Sequence, residues 1–196
     1  MTKPPKDHGT PADTQPFGLP AGEVEEEGNL ESTNTDLGFD QRTALALKEQ
    51  FGDQVLEIVT FRKEWTTVVK PGALIDVMTF LRDQWSYKMC HDVTSVDLYP
   101  HEPRFMVVYH LVNLDRSTRF RVKTPVSSDH AEVDTVVGLW PGASLMEREV
   151  YDLMGIKFKD HPDLRRVLLP DDWDGHPLRK DYPLTGFDVG VDTFKE

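Results

Sequence analysis

The sequence predicts an α+β fold: a two-layer domain with helices on one face of a mixed, mainly antiparallel sheet, then an extended irregular C-terminal segment. Two observations carry this. Apolar residues recur in the order helix, two strands, helix, three strands, which is the element order of such a domain. Beyond the last helical stretch, Pro162, Pro170, Pro177 and Pro183 follow one another too closely for any long helix to form.

The elements follow in sequence order. Asp40 is an expected N-cap for "QRTALALKEQF", with Gly52 as the stop. "VLEIVTF" (Val55 to Phe61) and "WTTVVK" (Trp65 to Lys70) are β-branched and alternate in part, so they read as a hairpin. Pro71 suits a first helical turn, and Leu74, Val77, Met78, Leu81 and Trp85 then form one helical stripe. "KMCHDVTSVDL" reads as a strand ending at the Pro100–Pro103 turn. "RFMVVYHLVNL" and "STRFRVKTPV" flank a tight turn at Asp115, Arg116 and Ser117 as a second hairpin.

"SLMEREVYDLMGI" is the clearest helix. Ser144 and Glu147 have the spacing of a capping box, Met146, Val150, Leu153 and Met154 make the apolar stripe, and Gly155 is placed for a left-handed C-cap. The expected organisation is an acidic, disordered extension over 1–40, a core over 41–140, a helix and extended segment over 141–187, and a short tail over 188–196. No internal repeat is present.

Composition narrows the function. Residues 1–40 hold nine acids and two lysines, so they carry −7 of the net −12, and they have too few apolar groups to offset conformational entropy. A pI near 5.0 argues against general nucleic-acid binding. No run of 18 apolar residues is present, and "MTKPPKDHGT" lacks a signal-peptide core. The single cysteine, Cys90, excludes an internal disulfide framework and a four-cysteine zinc or iron–sulfur site. A reducing compartment is expected, with any membrane association through other subunits.

Candidate chemistry is sparse. Glu147, Glu149 and Asp152 could be paired carboxylates, but Glu147 is already committed to the capping box, and Arg148 can pair with Asp152 four residues on. His161 and Asp163, with His176 and Asp171 or Asp172, could begin a metal site, yet they are scattered along proline-rich sequence without a ligand framework. Cys90 and His91 are strand neighbours whose side chains should point to opposite faces, which favours a buried structural thiol over a nucleophile. No GxGxxG, GxxxxGK[ST] or GxSxG occurs. From Met146 to Leu184 nine acids face seven bases. Arg148, Arg165, Arg166, Arg179 and Lys180, mixed with Tyr151, Phe158, Trp173 and Tyr182, have the composition of a protein–protein interface.

That stretch, "EREVYDLMGIKFKDHPDLRRVLLPDDWDGHPLRKDYPL", resembles the signature of the 30 kDa subunit of respiratory complex I, the NADH-quinone oxidoreductase of bacteria. The resemblance covers about residues 41–187. It implies a non-catalytic scaffold subunit of the hydrophilic arm, peripheral on the cytoplasmic side of the inner (plasma) membrane. It implies packing on the 49 kDa subunit and other hydrophilic-arm subunits, with FMN, iron–sulfur clusters and quinone all on other subunits and no metal or catalytic residue in this polypeptide. Glu147, Arg148, Tyr151, Asp152, Gly155, His161, Pro162, Arg165, Arg166, Pro177, Arg179, Lys180, Asp181 and Tyr182 would be the docking positions. Two other readings stay open. One is the equivalent subunit of a relative fed by ferredoxin or F420H2, or of a membrane-bound hydrogenase; the other is a free-standing metalloenzyme using the His161 and Asp163 region.

Overall fold

Residues 38–184 are described by a computed structural model, and the acidic extension up to residue 37 and the residues beyond 184 lie outside the described residues. Helix α1 (Phe39–Phe51) leads into the hairpin β1 (Val55–Phe61) and β2 (Glu64–Val69). A short 3-10 turn at Pro71–Ala73 opens α2 (Leu74–Gln84), and β3 (Met89–Asp97), β4 (Phe105–Asn113) and β5 (Thr118–Val126) follow. Then come β6 (Glu132–Asp134), α3 (Ala143–Met154) and β7 (Lys157–Lys159).

The five long strands form one sheet in the order β1-β2-β5-β4-β3. All neighbours are antiparallel except β2 and β5, which run parallel because the backbone passes through α2, β3 and β4 before β5 returns beside β2. The fold class is therefore the expected one. Alternation sorts each strand into two faces. Val69, Val93, Phe105, Val107, Tyr109, Leu111, Phe120 and Val122 join a buried core with Ala44 and Leu47 of α1, Leu74, Val77, Met78 and Leu81 of α2, and Val150 and Met154 of α3. On the other face the register sets Val108 beside Lys123 and His110 beside Arg121. Burying four α2 side chains alone is worth about 6–12 kcal/mol before entropy is charged against it.

Local differences from the sequence reading have physical causes. Asp40 is not the N-cap of α1. The helix begins two residues earlier, with Gly38 in the cap position, because the Phe39 ring packs against Trp85 and Tyr87. Asp40 instead accepts a hydrogen bond at 2.7 Å from the fully buried Tyr87 hydroxyl, which needs a partner there. The capping box at Ser144 and Glu147 does not form either: α3 starts at Ala143, with Gly142 in the cap position and no side-chain cap. Val150 and Met154 are buried as expected, while Met146 and Leu153 are half-buried. Strands β6 and β7 pair in parallel, and at three residues each they are too short to show a period in sequence. Gly155 is in the left-handed conformation, φ 73°, and its N–H donates to the Tyr151 carbonyl, ending α3 as expected.

Candidate functional site

From β7 to residue 184 there is no helix or strand, so the backbone polar groups of this stretch need partners from elsewhere. The signature side chains supply them from α3. Residues 160–184 form a strap held at four points along that helix and the adjoining end of the sheet.

The first point is His161, whose side chain is fully buried. Its Nδ1 accepts from the Asp163 N–H at 3.0 Å, which leaves the ring proton on Nε2, 3.2 Å from both the hydroxyl and the carbonyl of Ser144. Glu147 lies 4.0 Å from the same nitrogen and is itself fully buried. It accepts from the Thr135 hydroxyl and, at 2.7 Å, from the Val136 N–H. Burial pushes its pKa up to about 7, against the downward pull of those two hydrogen bonds. Its work is to terminate the loop after β6, which is why it is not free to cap its own helix.

The second point is Asp152. One carboxylate oxygen accepts from three successive N–H groups, of Val167 (3.0 Å), Leu168 (2.8 Å) and Leu169 (2.9 Å). The other accepts from Arg166 Nη1 at 2.7 Å. Burial acts to raise this pKa, but the four donors together outweigh it and hold the carboxyl at about 2. Arg166 also donates to the carbonyls of Trp173 (2.9 Å) and Gly175 (3.2 Å), so one ion pair closes both ends of the Val167–Gly175 loop. The expected Arg148–Asp152 pair is absent. Arg148 points instead to the carbonyls of Arg165 (3.1 Å) and Arg166 (2.9 Å), because an irregular backbone offers carbonyls that only such forked donors reach.

At the third point Arg179 Nε donates to the Met154 carbonyl at 2.7 Å and His176 Nδ1 donates to the Asp152 carbonyl at 2.8 Å, covering the open C-terminus of α3. Tyr151, half-buried, packs its ring 6.4 Å from that of His176, and Pro177 is half-buried beside it in sequence. A Cβ on Gly155 would stand 2.5 Å from His176 and closer still to Arg179, so glycine is required for the fit as well as for its φ.

The fourth point ties the strap to the sheet. Arg104 donates to both oxygens of Asp97 (3.0 and 2.8 Å) and both of Asp181 (2.9 and 2.6 Å). Asp97, nearly fully buried, also accepts from the Lys180 N–H at 2.9 Å. Burial would raise its pKa, yet Arg104 and the Lys180 and Tyr99 N–H groups hold it at about 2. The Tyr182 hydroxyl donates to the Asp174 carbonyl at 3.3 Å.

The predicted positions are thus brought together, with different jobs among them. Arg148, Asp152, His161, Arg166 and Arg179 bind backbone within the same polypeptide, while Pro162 is exposed and Arg165 pairs at the surface with Asp163. Arg104, Asp97 and Thr135 were missed. They lie outside the signature in sequence, and nothing local marks them. Among the described residues no group of three His, Cys, Asp or Glu side chains is close enough to hold a metal ion, and His161 and His176 each bond backbone instead. The Cys90 thiol is buried, and burial, with Glu147 and Asp92 nearby, pushes its pKa up to about 12, which makes it a poor nucleophile. No helix among the described residues is long and apolar enough to cross a membrane.

Comparison with known proteins bears on the family and the fold. Residues 67–188 match the family model for the respiratory-chain NADH dehydrogenase 30 Kd subunit. The C subunit of NADH-quinone oxidoreductase from Geotalea uraniireducens is 46% identical over 153 residues, covering 78% of this protein and 93% of the relative. Its counterpart in Geobacter metallireducens is 49% identical over 146 residues, covering 74% and 90%. The trypsin-resistant fragment (1-134) of Nqo5 aligns with TM-score 0.56 at 30% identity, over 63% of this protein and 99% of the fragment. A polypeptide of the membrane-bound sulfane sulfur reductase, an archaeal respiratory membrane complex, aligns with TM-score 0.60 at 26% identity, over 79% of this protein and 94% of that one.

Proposed function

The chain belongs to the family of the 30 kDa subunit of respiratory-chain NADH dehydrogenase, and from that premise we propose that it is a non-catalytic scaffold subunit in the hydrophilic arm of an NADH-quinone oxidoreductase. In this reading it packs on the 49 kDa-type subunit through the strap, and on other hydrophilic-arm subunits. It sits peripherally on the cytoplasmic side of the inner (plasma) membrane and meets the bilayer only through the complex. FMN, iron–sulfur clusters and quinone belong to other subunits, and the coupled ion movement to the complex as a whole.

The observation that carries the reading is the use made of the signature. Its charged groups build a rigid strap from an irregular segment by satisfying backbone donors and acceptors. Such a surface costs little further ordering entropy when it meets a partner. Electron transfer to quinone needs clusters and quinone cavity in fixed register, and a stiff buttress on the catalytic subunit supplies that. The docking positions are then the fourteen signature residues acting as a unit, some by contact and others by shaping the strap.

Substituting Arg179 or Asp181 tests this. Fewer assembled complexes are expected, each with unchanged quinone affinity. Normal assembly with weakened quinone affinity would move the strap into the quinone site itself. A second reading has support in the likeness to the sulfane sulfur reductase polypeptide: the equivalent scaffold in a complex with another electron donor. The assay of donors described in the Discussion separates the two.

A further inference from the structure

Resting on the docking reading above, we propose that the Val167–Gly175 loop is the part of the strap that enters the partner, and that it fits an apolar depression rimmed by lysine and arginine. The signature is rich in arginine, which suggests a basic face seeking acids. The structure points the other way. Arg148 and Arg166 are turned inward onto carbonyls, and Arg166 and Arg165 already have carboxylate partners in Asp152 and Asp163. What the loop offers outward is different chemistry.

Leu168 is 60% exposed, Trp173 39% and Val167 37%, and the charged positions facing solvent beside them are Asp171, Asp172 and Asp174. The loop contains no base, so its charge is −3. Among the described residues none of its three acids is paired with a base. The backbone of the loop is held from inside: the N–H groups of Val167, Leu168 and Leu169 are fixed on Asp152, and the carbonyls of Trp173 and Gly175 on Arg166. Leu168 is left largely outside, with Val167 and Trp173 outside in part.

A leucine and a partly exposed aromatic on a stiff loop that also carries three aspartates is the arrangement of an interface anchor with an acidic rim. The sign of the rim selects the partner. A second copy of this protein would bring acids against acids at a two-fold interface. An anionic membrane surface would repel the loop in the same way. A protein surface carrying lysine or arginine around an apolar depression complements it, and steers it during approach.

The test uses the full-length protein in the assembled complex. A photo-crosslinking benzoylphenylalanine replaces Trp173, with the same probe at the exposed Phe61 hairpin as a control. The expected result is a crosslink from position 173 to another subunit, at an apolar segment flanked by lysine or arginine. In parallel, L168S and the triple variant D171N, D172N, D174N should each lower the protein's content in purified complex by about tenfold, with its thermal stability in isolation nearly unchanged. Normal incorporation with crosslinks only to lipid, to a second copy or within the same polypeptide would overturn the loop proposal while leaving the docking reading intact. Absence of the wild-type protein from any complex would overturn both.

Discussion

Replacing Asp152 by asparagine is the perturbation whose size can be worked most closely from the structure. The carboxylate has two oxygens in use, one for three N–H groups and one for Arg166. An asparagine has a single oxygen, so its NH2 must face one of these donor sets. Breaking a buried pair costs about 3–5 kcal/mol when the remaining charge has no refuge, and Arg166 keeps its carbonyl acceptors, which places D152N at the low end. The pKa gives an independent figure. Holding the carboxyl at about 2 instead of 3.8 corresponds to about 2 kcal/mol, or about 1–2 kcal/mol after allowance for solvent screening. A loss of about 2–3 kcal/mol lowers the Tm of a domain this size by about 4–12 °C.

Calorimetry of the full-length protein near neutral pH measures that shift, and hydrogen exchange should show faster exchange at Val167–Leu169. The pH dependence supplies the sign. The folded pKa is depressed, so the wild-type advantage is complete above the unfolded value of 3.8 and is lost as pH falls through about 2. The gap between wild type and D152N should therefore stay constant down to about pH 4 and then close. A D152N Tm within about 1 °C of wild type, or a gap that ignores acid, would refute the assignment of Asp152 as the organiser of the loop.

Three further outcomes follow from the same geometry. Glu147 has a folded pKa raised from 4.5 to about 7, so wild-type stability should fall as pH rises across that window, and E147Q should lack this slope in thermal melts; parallel curves would refute the assignment of the slope to Glu147, whose facing groups are His161, Cys90 and Tyr109. G155A combines about 1–2 kcal/mol of left-handed backbone cost with a clash against His176 and Arg179, and should lower Tm by at least about 4 °C; an unchanged melt would show the strap moving aside freely. R104Q removes the bridge between Asp97 and Asp181 and should speed amide exchange at Lys180 at least about tenfold while exchange in β4 and β5 stays slow; protection unchanged at Lys180 would contradict the clamp.

How legible all this was in the sequence depends on range. The apolar, β-branched runs of β1 to β5 and the stripe of α2 are local patterns, and the order of strands and helices along the sequence could be read from them directly. Gly155 declared itself because the left-handed position that ends such a helix is one that glycine adopts without a Cβ penalty. Helix starts were less readable. Asp40 and Glu147 both have good capping spacing, but each answers a demand from outside its own helix: the Tyr87 hydroxyl in one case, the end of β6 in the other. The same limit hid the direction of the strap's arginines. Composition identified them as donors but could not say that the nearest acceptors would be carbonyls of their own polypeptide. Arg104 was the extreme case, 77 residues from Asp181, the farther of the two aspartates it clamps.

The measurement that bears most directly on the proposed role is affinity isolation of the tagged protein from gently solubilised membranes, with its companions identified by mass spectrometry and quinone reduction assayed with NADH and with ferredoxin. The expected result is a large particle that contains a 49 kDa-type subunit and reduces quinone with NADH. A particle active only with another donor would contradict the NADH assignment and leave the scaffold role standing. A lone polypeptide, with no companions and a bound metal, would contradict both.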